Sequence, residues 1–240
     1  MRGIILAGGM GSRLKPLTDI TNKHLVPIYD RPMILYPLRT LIQSGIRDIL
    51  IVSGREHAGH FVEFLGSGND YGVRFSYRVQ DQAGGIAQAI LLAEDFAAKQ
   101  PITVILGDNI YEDSFSAAVK NFRKGARIFI KKVSNPQRFG VPVFKGEKIV
   151  KVLEKPKNPP CSYAVTGLYQ YDCRVFEMVR KLKPSARGEL EVADVMNHYI
   201  KEKDLNFEII KGYWSDAGTF ESLANATRWA MNKKNKINLP

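Results

Sequence analysis

Cysteine is scarce in this chain: only Cys161 and Cys173 occur in 240 residues. Their spacing matches no common zinc-site pattern, and a single pair cannot build a disulfide framework. Long apolar runs are also absent, since no segment approaches the roughly 20 residues that span a membrane. Gly8 interrupts the N-terminal apolar run too early for a signal peptide. We therefore expect a cytoplasmic protein with no membrane partner.

Acidic residues are fewer than basic ones. The chain has 24 Asp and Glu against 35 Lys and Arg, for a formal net charge of +11. This balance favours acidic partners, either nucleic acid or a phosphorylated small molecule. We find neither basic strands studded with aromatic residues nor a known nucleic-acid-binding module. The basic cluster at Lys233, Lys234 and Lys236 is most simply a solvated tail. We therefore expect no nucleic-acid partner.

The first half of the chain alternates short apolar runs with helical patterns. Strands are predicted at residues 3–7, 48–53, 73–79 and 103–106, and helices at residues 32–44, 57–65 and 85–98. This order predicts an α/β fold with a largely parallel sheet and helices on both faces. Continuous apolar strands, as in DILIVS, fit a sheet that is buried on both sides.

The alternation of strands and helices ends after about Asn121. Strands are predicted at residues 127–133, 141–144, 149–154 and 164–171, with too few residues between them for helical crossovers. Antiparallel or mixed pairing is therefore expected there. Helices are predicted at residues 174–181, 190–201 and 219–232. No repeat and no flexible linker interrupts the chain, which predicts one domain over residues 1–240.

A glycine-rich loop follows the first strand in LAGGMGSRL. Its glycines expose backbone N–H groups that can cradle phosphate oxygens, and Arg13 offers a guanidinium that binds them with two bonds. The loop matches neither the P-loop nor the dinucleotide fingerprint, because Leu14 stands where a third glycine is needed. A tight turn after the strand is the alternative interpretation.

Two aspartates occupy positions suited to a metal. Asp108 in ILGDN ends an apolar strand, where parallel sheets bind ligands, and Asp216 in YWSDAGT precedes a helix. Mg²⁺ uses one or two carboxylates together with substrate phosphates, so the pair could hold one ion. Alternatively, Asp108 is a turn residue and Asp216 caps the helix. Lys155 in LEKPKNPP could pair with a phosphate at a strand end.

Taken in order, these motifs resemble the sugar-1-phosphate nucleotidylyltransferases, and most closely the glucose-1-phosphate thymidylyltransferases. The similarity covers nearly the whole chain, in LAGGMGSRL, NKHLVPIYDRPMILYPL, VQDQAGGIAQA, LGDNIY, FGVPVF, EKPKNP, YAVTGLYQYD, KPSARGELEVADV and WSDAGT. The specific part is SYAVTGLYQYD followed by PSARGELE. Glucose-1-phosphate adenylyltransferases and uridylyltransferases share the glycine loop but differ there.

The resemblance implies the Rossmann-like fold of the nucleotide-diphospho-sugar transferases. It implies a nucleotide-binding part at about residues 1–120, a sugar-phosphate-binding part at about 121–218, and a C-terminal helix and basic tail at 219–240. The implied reaction joins dTTP and glucose 1-phosphate into dTDP-glucose and pyrophosphate with Mg²⁺, as the first step of dTDP-rhamnose and deoxysugar synthesis. UTP or another hexose 1-phosphate is the alternative substrate. A homo-oligomer, dimer or tetramer, is also implied.

The resemblance assigns residues to each part of the site. The implied nucleotide-binding residues are Leu6, Gly8, Gly9, Gly11, Ser12, Arg13, Lys23, Gln80, Gly85 and Asp108. The implied sugar-phosphate-binding residues are Asn109, Gly140, Glu154, Lys155, Val165, Thr166, Arg187, Glu189 and Trp214. Arg13, Lys23 and Lys155 are implied to be catalytic, and Asp108 and Asp216 to be the metal ligands.

The chain departs from the common family pattern in several places. His24 stands where glutamine is usual, and Asp81, Gln82 and Ala83 replace a segment that contains proline. The loop after Asn109 carries two carboxylates at residues 112 and 113. The chain also stops soon after the WSDAGT helix, so we expect a short form without the C-terminal helical extension of longer members. From these differences we expect feedback by a dTDP-linked deoxysugar end product that is weak or purely competitive with dTTP.

Overall fold

Residues 1–232 are described by a computed structural model, and the predicted basic tail lies outside the described residues. The strands are β1 (Arg2–Ala7), β2 (Pro27–Ile28), β3 (Arg31–Pro32), β4 (Asp48–Gly54), β5 (Arg74–Gln80), β6 (Ile102–Leu106), β7 (Ile110–Tyr111), β8 (Ala126–Lys132), β9 (Gly140–Lys145), β10 (Lys148–Glu154), β11 (Tyr163–Tyr171), β12 (Leu205–Ile209) and β13 (Trp214–Ser215). The α-helices are α1 (Leu35–Gln43), α2 (Ala58–Leu65), α3 (Ile86–Leu91), α4 (Glu94–Ala97), α5 (Ser116–Asn121), α6 (Val175–Arg180), α7 (Val192–Lys201) and α8 (Phe220–Asn232).

One nine-stranded sheet has the order β10-β9-β11-β6-β1-β4-β5, and β8 and β12 continue from the other edge of β11. Strands β6, β1, β4 and β5 are parallel, and β11 is antiparallel to β6, β8 and β9. Leu6 is level with Val52 on one side and with Leu106 on the other. The carboxyl ends of these strands therefore meet at one edge of the sheet. The predicted α/β fold with a mostly parallel mixed sheet is confirmed.

Both faces of the sheet are buried, which explains the continuous apolar strands. In β1, Ile4 and Leu6 face one core and Ile5 and Ala7 face the other. Helices α3, α6 and α7 cover the first core, and α1, α2 and α5 cover the second. Within the described residues, no helix is long and apolar enough to cross a membrane. The cytoplasmic location stays a prediction.

Several elements differ from the sequence-based prediction. Residues 85–98 form two short helices, because Ala93 N bonds to Ile90 O, three residues back, and interrupts the α-helical ladder. Pro32 lies in the β2–β3 pair, so α1 begins later, at Leu35. Strand β12 was not predicted, although its sequence LNFEI alternates apolar and polar residues; it pairs in parallel with β8 and is largely exposed.

The strand β11 connects the two predicted parts of the chain. Tyr169 in β11 pairs with Val104 of β6 on one side and with Ile128 of β8 on the other. The hydrogen bonds of one sheet therefore cross the predicted division near residue 120. The assignment of residues 1–240 to one domain stays a prediction.

A charged network fastens the end of β11 to its neighbours. Asp172 accepts hydrogen bonds from Gly125 N at 2.7 Å, from the Tyr199 hydroxyl at 2.8 Å and from Arg174 at 2.7 Å. Arg174 also pairs with Asp204 and Glu202. Burial opposes the charge on Asp172, but the bonds from Arg174, Gly125 and Tyr199 together hold its pKa below the usual range.

Asp172→Asn should lower the free energy of unfolding by about 2 kcal/mol at pH 7, because it weakens hydrogen bonds to a largely buried carboxylate. The folded-state pKa is depressed, so this stabilisation is present above the unfolded value of about 3.9 and is lost as the pH falls through the folded pKa. Urea unfolding at several pH values measures the difference, which should shrink in acid. Glu202→Gln, at the exposed end of the network, is the control; equal stability of Asp172→Asn and wild type at pH 7 would contradict the argument.

Candidate active site

A cleft of about 650 Å³ opens at the carboxyl ends of β1, β5 and β6 and extends towards β9, β10 and α7. Most of the residues implied by the resemblance line this one cleft. They are Leu6, Gly8, Gly9, Gly11, Ser12, Arg13, Lys23, Gln80, Gly85, Asp108, Asn109, Gly140, Glu154, Lys155, Val165, Glu189, Trp214 and Asp216. The fold thus brings together residues that lie as far apart in sequence as Leu6 and Asp216.

Two of the implied residues do not line the cleft. Thr166 is fully buried, and its hydroxyl donates to Phe129 O at 2.9 Å. Arg187 pairs with Glu191 at 2.7 Å and with Glu154 at 3.5 Å. Arg187 therefore reaches the cleft through Glu154 and through Glu189, which lies 3.8 Å from it; both glutamates belong to the lining. Direct sugar-phosphate contacts of Thr166 and Arg187 stay predictions, and this geometry does not favour them.

The glycine loop wraps around the side chain of Lys23. Gly11 has a φ of 66°, and a Cβ there would lie 2.8 Å from Thr18 Cγ2 and 2.9 Å from Lys23 Cβ. Only glycine combines this left-handed backbone with such close packing. Thr18 fixes the turn further by donating its hydroxyl to Gly11 O at 2.9 Å. The loop therefore presents Lys23 and Arg13 to the cleft from a closely packed turn.

Lys23 and Asp108 form an ion pair in the lining of the cleft, with 2.5 Å between Lys23 Nζ and Asp108 Oδ2. Both side chains are largely buried, at 14% and 10% exposure. Burial opposes the charge on Asp108, but Lys23 next to it, with His24 and Asn109, holds the pKa of that carboxyl below its usual range. Asp108 is therefore ionised and already in contact with a cation.

Asp216 is the second carboxylate of the cleft. Its Oδ2 accepts from Arg138 Nη2 at 3.0 Å. Burial and the nearby charge of Asp108 raise the pKa of Asp216, although Arg138 and Arg13 act in the opposite direction. The resemblance did not point to Arg138, and the only sequence signal for it is its position directly before the FGVPVF block. Arg138 adds a further cation to the lining.

The two carboxylates fit a divalent cation. Among residues 1–232, no group of three or more His, Cys, Asp and Glu side chains could hold a metal by itself. Mg²⁺, however, takes one or two carboxylates and completes its shell with phosphates and water. The charge of Asp108 disfavours ionisation of Asp216, and a cation between them would relieve that repulsion. Asp108 and Asp216 are therefore suited to Mg²⁺ that arrives with a phosphorylated substrate.

His24 adds no charge to the site. It is fully buried, and its Nδ1 donates to Asn22 Oδ1 at 2.7 Å, an oxygen that also accepts from His24 N. Burial, with the neighbouring Lys23 ammonium, lowers the pKa of His24 to about 3. At neutral pH this departure from the family pattern places an uncharged ring beside Gly107.

In another part of the lining, Glu154 ends strand β10 and Lys155 follows it. Lys155 has a φ of 42°, an unusual backbone conformation that is held by a bond from Lys155 N to Phe139 O at 3.0 Å. Lys155 Nζ lies 3.7 Å from Glu154 Oε1. Burial raises the pKa of Glu154 against the opposing charge of Lys155. This part of the cleft therefore presents an ammonium beside hydrogen-bond acceptors.

Asn109 connects the two carboxylate-bearing segments. Its Nδ2 donates to Asp108 Oδ1 at 2.8 Å, and its Oδ1 accepts from Trp214 Nε1 at 2.7 Å and from Gly167 N at 3.0 Å. Trp214 lies two residues before Asp216. Asn109 lines the cleft, but these partners engage both ends of its amide. Its geometry suits positioning of the neighbouring groups, and its predicted contact with the sugar phosphate stays a prediction.

The segment that carries Trp214 and Asp216 is fixed by β13 pairing with β7. Two carboxylates extend this pair. They come from the loop after Asn109, which differs from the common family pattern. Asp113 accepts from Gly212 N at 2.8 Å, and Glu112 accepts from Tyr213 N at 3.0 Å. These acidic residues therefore hold the approach to Asp216 in place.

Comparison with known proteins agrees with this geometry. The family model for nucleotidyl transferase matches residues 2–233. The chain belongs to the nucleotidyl transferase family. Relatives of this nucleotidyl transferase carry a more specific name. A glucose-1-phosphate thymidylyltransferase of Neisseria meningitidis serogroup A is 44% identical over 246 residues, which cover 100% of this chain and 85% of that protein. One of Mycobacterium tuberculosis is 44% identical over 232 residues, which cover 94% of this chain and 81% of that protein.

Solved structures resemble this nucleotidyl transferase closely. A crystal structure from Bacillus anthracis given the same enzyme name, in complex with a sucrose, has a TM-score of 0.93 and 50% identity over 100% of this chain and 97% of that chain. A UDP-glucose pyrophosphorylase in complex with UDP-glucose has a TM-score of 0.86 and 25% identity, over 97% of this chain and 98% of that chain. The similarity to glucose-1-phosphate thymidylyltransferases and the fold implied by it are confirmed.

Proposed function

We propose that this nucleotidyl transferase makes dTDP-glucose and pyrophosphate from dTTP and glucose 1-phosphate. The observation that carries the proposal is that three cations, Arg13, Lys23 and Lys155, line one cleft with two carboxylates, Asp108 and Asp216. Such a cleft suits two polyanionic substrates and a divalent cation. The names of relatives at 44% identity support the choice of thymidylyl transfer to glucose 1-phosphate.

The reaction needs no covalent intermediate on the protein. An oxygen of the sugar phosphate, already anionic near neutral pH, attacks the α-phosphorus of dTTP. A new P–O bond forms while the bond between the α-phosphorus and the bridging oxygen breaks, and pyrophosphate leaves with that electron pair. The barrier lies chiefly in bringing two anions together, so the protein contributes position and positive charge.

The residues of the chain divide this work by their position in the cleft. Arg13 and Lys23, in and beside the glycine loop, would hold the triphosphate, and Lys155 in another part of the lining would hold the sugar phosphate. Asp108 and Asp216 would hold Mg²⁺, which supplies neutralising charge for the triphosphate. Lys23 Nζ, which donates to Asp108 Oδ2, would also donate to phosphate oxygens of the bound triphosphate. The charges would thus be in place before the reaction begins.

The sugar end offers acceptors for hydroxyl groups. Glu154 and Glu189 line the cleft beside Lys155. Because burial raises the pKa of Glu154, this carboxyl is poorly solvated and gains from hydroxyl donors. The positions of these groups support a hexose phosphate as the second substrate. Synthesis of dTDP-rhamnose or other deoxysugars, and assembly into a dimer or tetramer, belong to the same proposal.

UTP is the alternative nucleotide. Thymine differs from uracil by one methyl group, which a fitted pocket distinguishes by about 1–3 kcal/mol. The similarity in fold to a UDP-glucose pyrophosphorylase supports UTP as an alternative substrate. Partial use of UTP is therefore expected along with dTTP.

Pyrophosphate release across a grid of substrates tests the proposal. The grid combines dTTP, UTP, dCTP, ATP and GTP with the 1-phosphates of glucose, galactose and mannose, in the presence of Mg²⁺. The pair of dTTP and glucose 1-phosphate should give the highest kcat/KM, with UTP lower by about 5- to 150-fold. Glucose 6-phosphate, which lacks the anomeric phosphate, is the control substrate. Higher kcat/KM with UTP would establish the alternative, and no release with any pair would refute both.

A further inference from the structure

The amide of Gln80, at the nucleotide end of the cleft, is held by a short chain of hydrogen bonds. Gly84 N donates to Gln88 Oε1 at 3.0 Å. Gln80 Nε2 donates to the same oxygen at 2.7 Å and to Gly85 O at 3.4 Å. Gln88 lies on α3 and does not itself belong to the lining of the cleft.

Two backbone groups determine which way both amides face. The N–H of Gly84 can only donate, so the atom of Gln88 that meets it is the oxygen. Because this same oxygen accepts from Gln80, the atom of Gln80 that faces Gln88 is the nitrogen. The carbonyl of Gly85 can only accept and requires the same orientation. An exchange of oxygen and nitrogen in Gln80 would break both bonds.

The remaining polar atom of Gln80 lies beside the glycine loop. Gln80 Oε1 is 2.7 Å from the position that a Cβ on Gly8 would take, and Gly8 lines the cleft. Both hydrogens of the Gln80 amide are engaged within the protein. Gln80 therefore offers a ligand in the cleft an acceptor and no donor.

We propose that Gln88 is a positioning residue for base selection, which fixes Gln80 as an acceptor towards the nucleotide base. The inference rests on the proposed function in taking the base of the triphosphate to lie against Gln80. Thymine and uracil carry a donor, N3–H, on the ring edge, whereas N3 of cytosine is an acceptor. Cytosine N3 would meet Gln80 Oε1 with two acceptors facing each other, or would require the Gln80 amide to turn over. Gln88 thus favours the imide bases over cytosine.

Two substitutions at Gln88 separate this role from packing. Gln88→Met keeps the length of the side chain and its preference for helix but removes the acceptor. Gln88→Glu keeps an acceptor for both Gly84 N and Gln80 Nε2. Gln88→Leu is a second apolar variant, and thermal unfolding shows which of the three are folded. The measured quantities are kcat and KM with dTTP, UTP and dCTP, together with equilibrium dialysis of dTTP and dCTP without sugar phosphate.

In Gln88→Met, the preference for dTTP over dCTP should fall about tenfold, which corresponds to losing one buried hydrogen bond that orients the amide. The change should appear mainly in the KM for dTTP and in the dialysis constants. The preference for dTTP over UTP should not change, because both bases carry N3–H. Gln88→Glu should retain the wild-type preference for dTTP over dCTP.

Three results would overturn the inference: equal binding of dTTP and dCTP by the wild type, an unchanged preference in both apolar variants, or loss of preference in Gln88→Glu as well. The equilibrium dialysis measurements distinguish the role of Gln88 in base selection from the proposed synthesis of dTDP-glucose. Selective binding of dTTP that Gln88→Met abolishes supports the inference even when no dTDP-glucose forms. The absence of dTDP-glucose would refute only the proposed function.

Discussion

Asp108→Asn should lower kcat by about a thousandfold or more at saturating Mg²⁺, because it removes the charge that faces Lys23 and that would hold the proposed Mg²⁺. The substitution keeps the size of the side chain, so the fold should be retained. The substitution leaves the largely buried Lys23 without its partner at 2.5 Å, and this loss should lower the free energy of unfolding by up to about 3 kcal/mol. Steady-state kinetics and urea unfolding on the same preparation measure the two effects separately.

Asp113→Asn is the matched control, because Asp113 accepts from Gly212 N in a loop that does not line the cleft. It should leave kcat within a few-fold of wild type. Asp216→Asn should resemble Asp108→Asn, and the double variant should lose less than the product of the single losses, since both carboxylates would serve one ion. A near-wild-type rate for Asp108→Asn at high Mg²⁺ would show that Asp108 is only a turn residue.

Lys155→Ala and Lys23→Ala should show different kinetic defects, because Lys23 lies beside the glycine loop and Lys155 follows β10 in a different part of the lining. Lys155→Ala should raise the KM for glucose 1-phosphate by about 10- to 100-fold and change the KM for dTTP little, as expected for one charged contact of about 1.5–3 kcal/mol. Lys23→Ala should raise the KM for dTTP and lower kcat by about a hundredfold, because its partners include the departing phosphates. Initial rates with each substrate varied in turn measure both.

Lys157→Ala provides the control in the same EKPKNP segment, since Lys157 is exposed and does not belong to the cleft lining. Its kinetic constants should match those of the wild type. If Lys23→Ala and Lys155→Ala had the same defect towards both substrates, the division of the cleft into a triphosphate end and a sugar-phosphate end would be wrong.

The sequence predicted those parts of the cleft that follow directly from local chemistry. The glycine loop after β1 and Asp108 after β6 come at strand ends, and the register of a parallel sheet then brings strand ends together. Arg138 was missed because its partner Asp216 is distant in the chain, and nothing local to Arg138 indicates the contact. Gln88 was missed because its partners are Gly84 and Gln80, a matter of loop shape rather than of residue type.

The same limit explains the elements that were not predicted. Strand β12 is the exception: LNFEI alternates apolar and polar residues, a local signal that the prediction missed, and the strand pairs in parallel with β8. The β7–β13 pair is too short for any periodicity and depends on long-range bonds such as that from Gly212 N to Asp113. In the β7–β13 pair, long-range pairing rather than local preference decides the structure.

The pairing of β13 with β7 also determines when, during synthesis of the chain, the site can be completed. A ribosome delivers the chain from its N-terminus, so the glycine loop, Lys23 and Asp108 are made long before Asp216. Until Trp214 and Ser215 can pair with β7, Asp108 faces Lys23 without the second carboxylate. A nascent chain that already carries most of the residues proposed to face the triphosphate therefore cannot complete the two-carboxylate site, and the nucleotide and metal binding that we propose would require synthesis at least as far as Asp216.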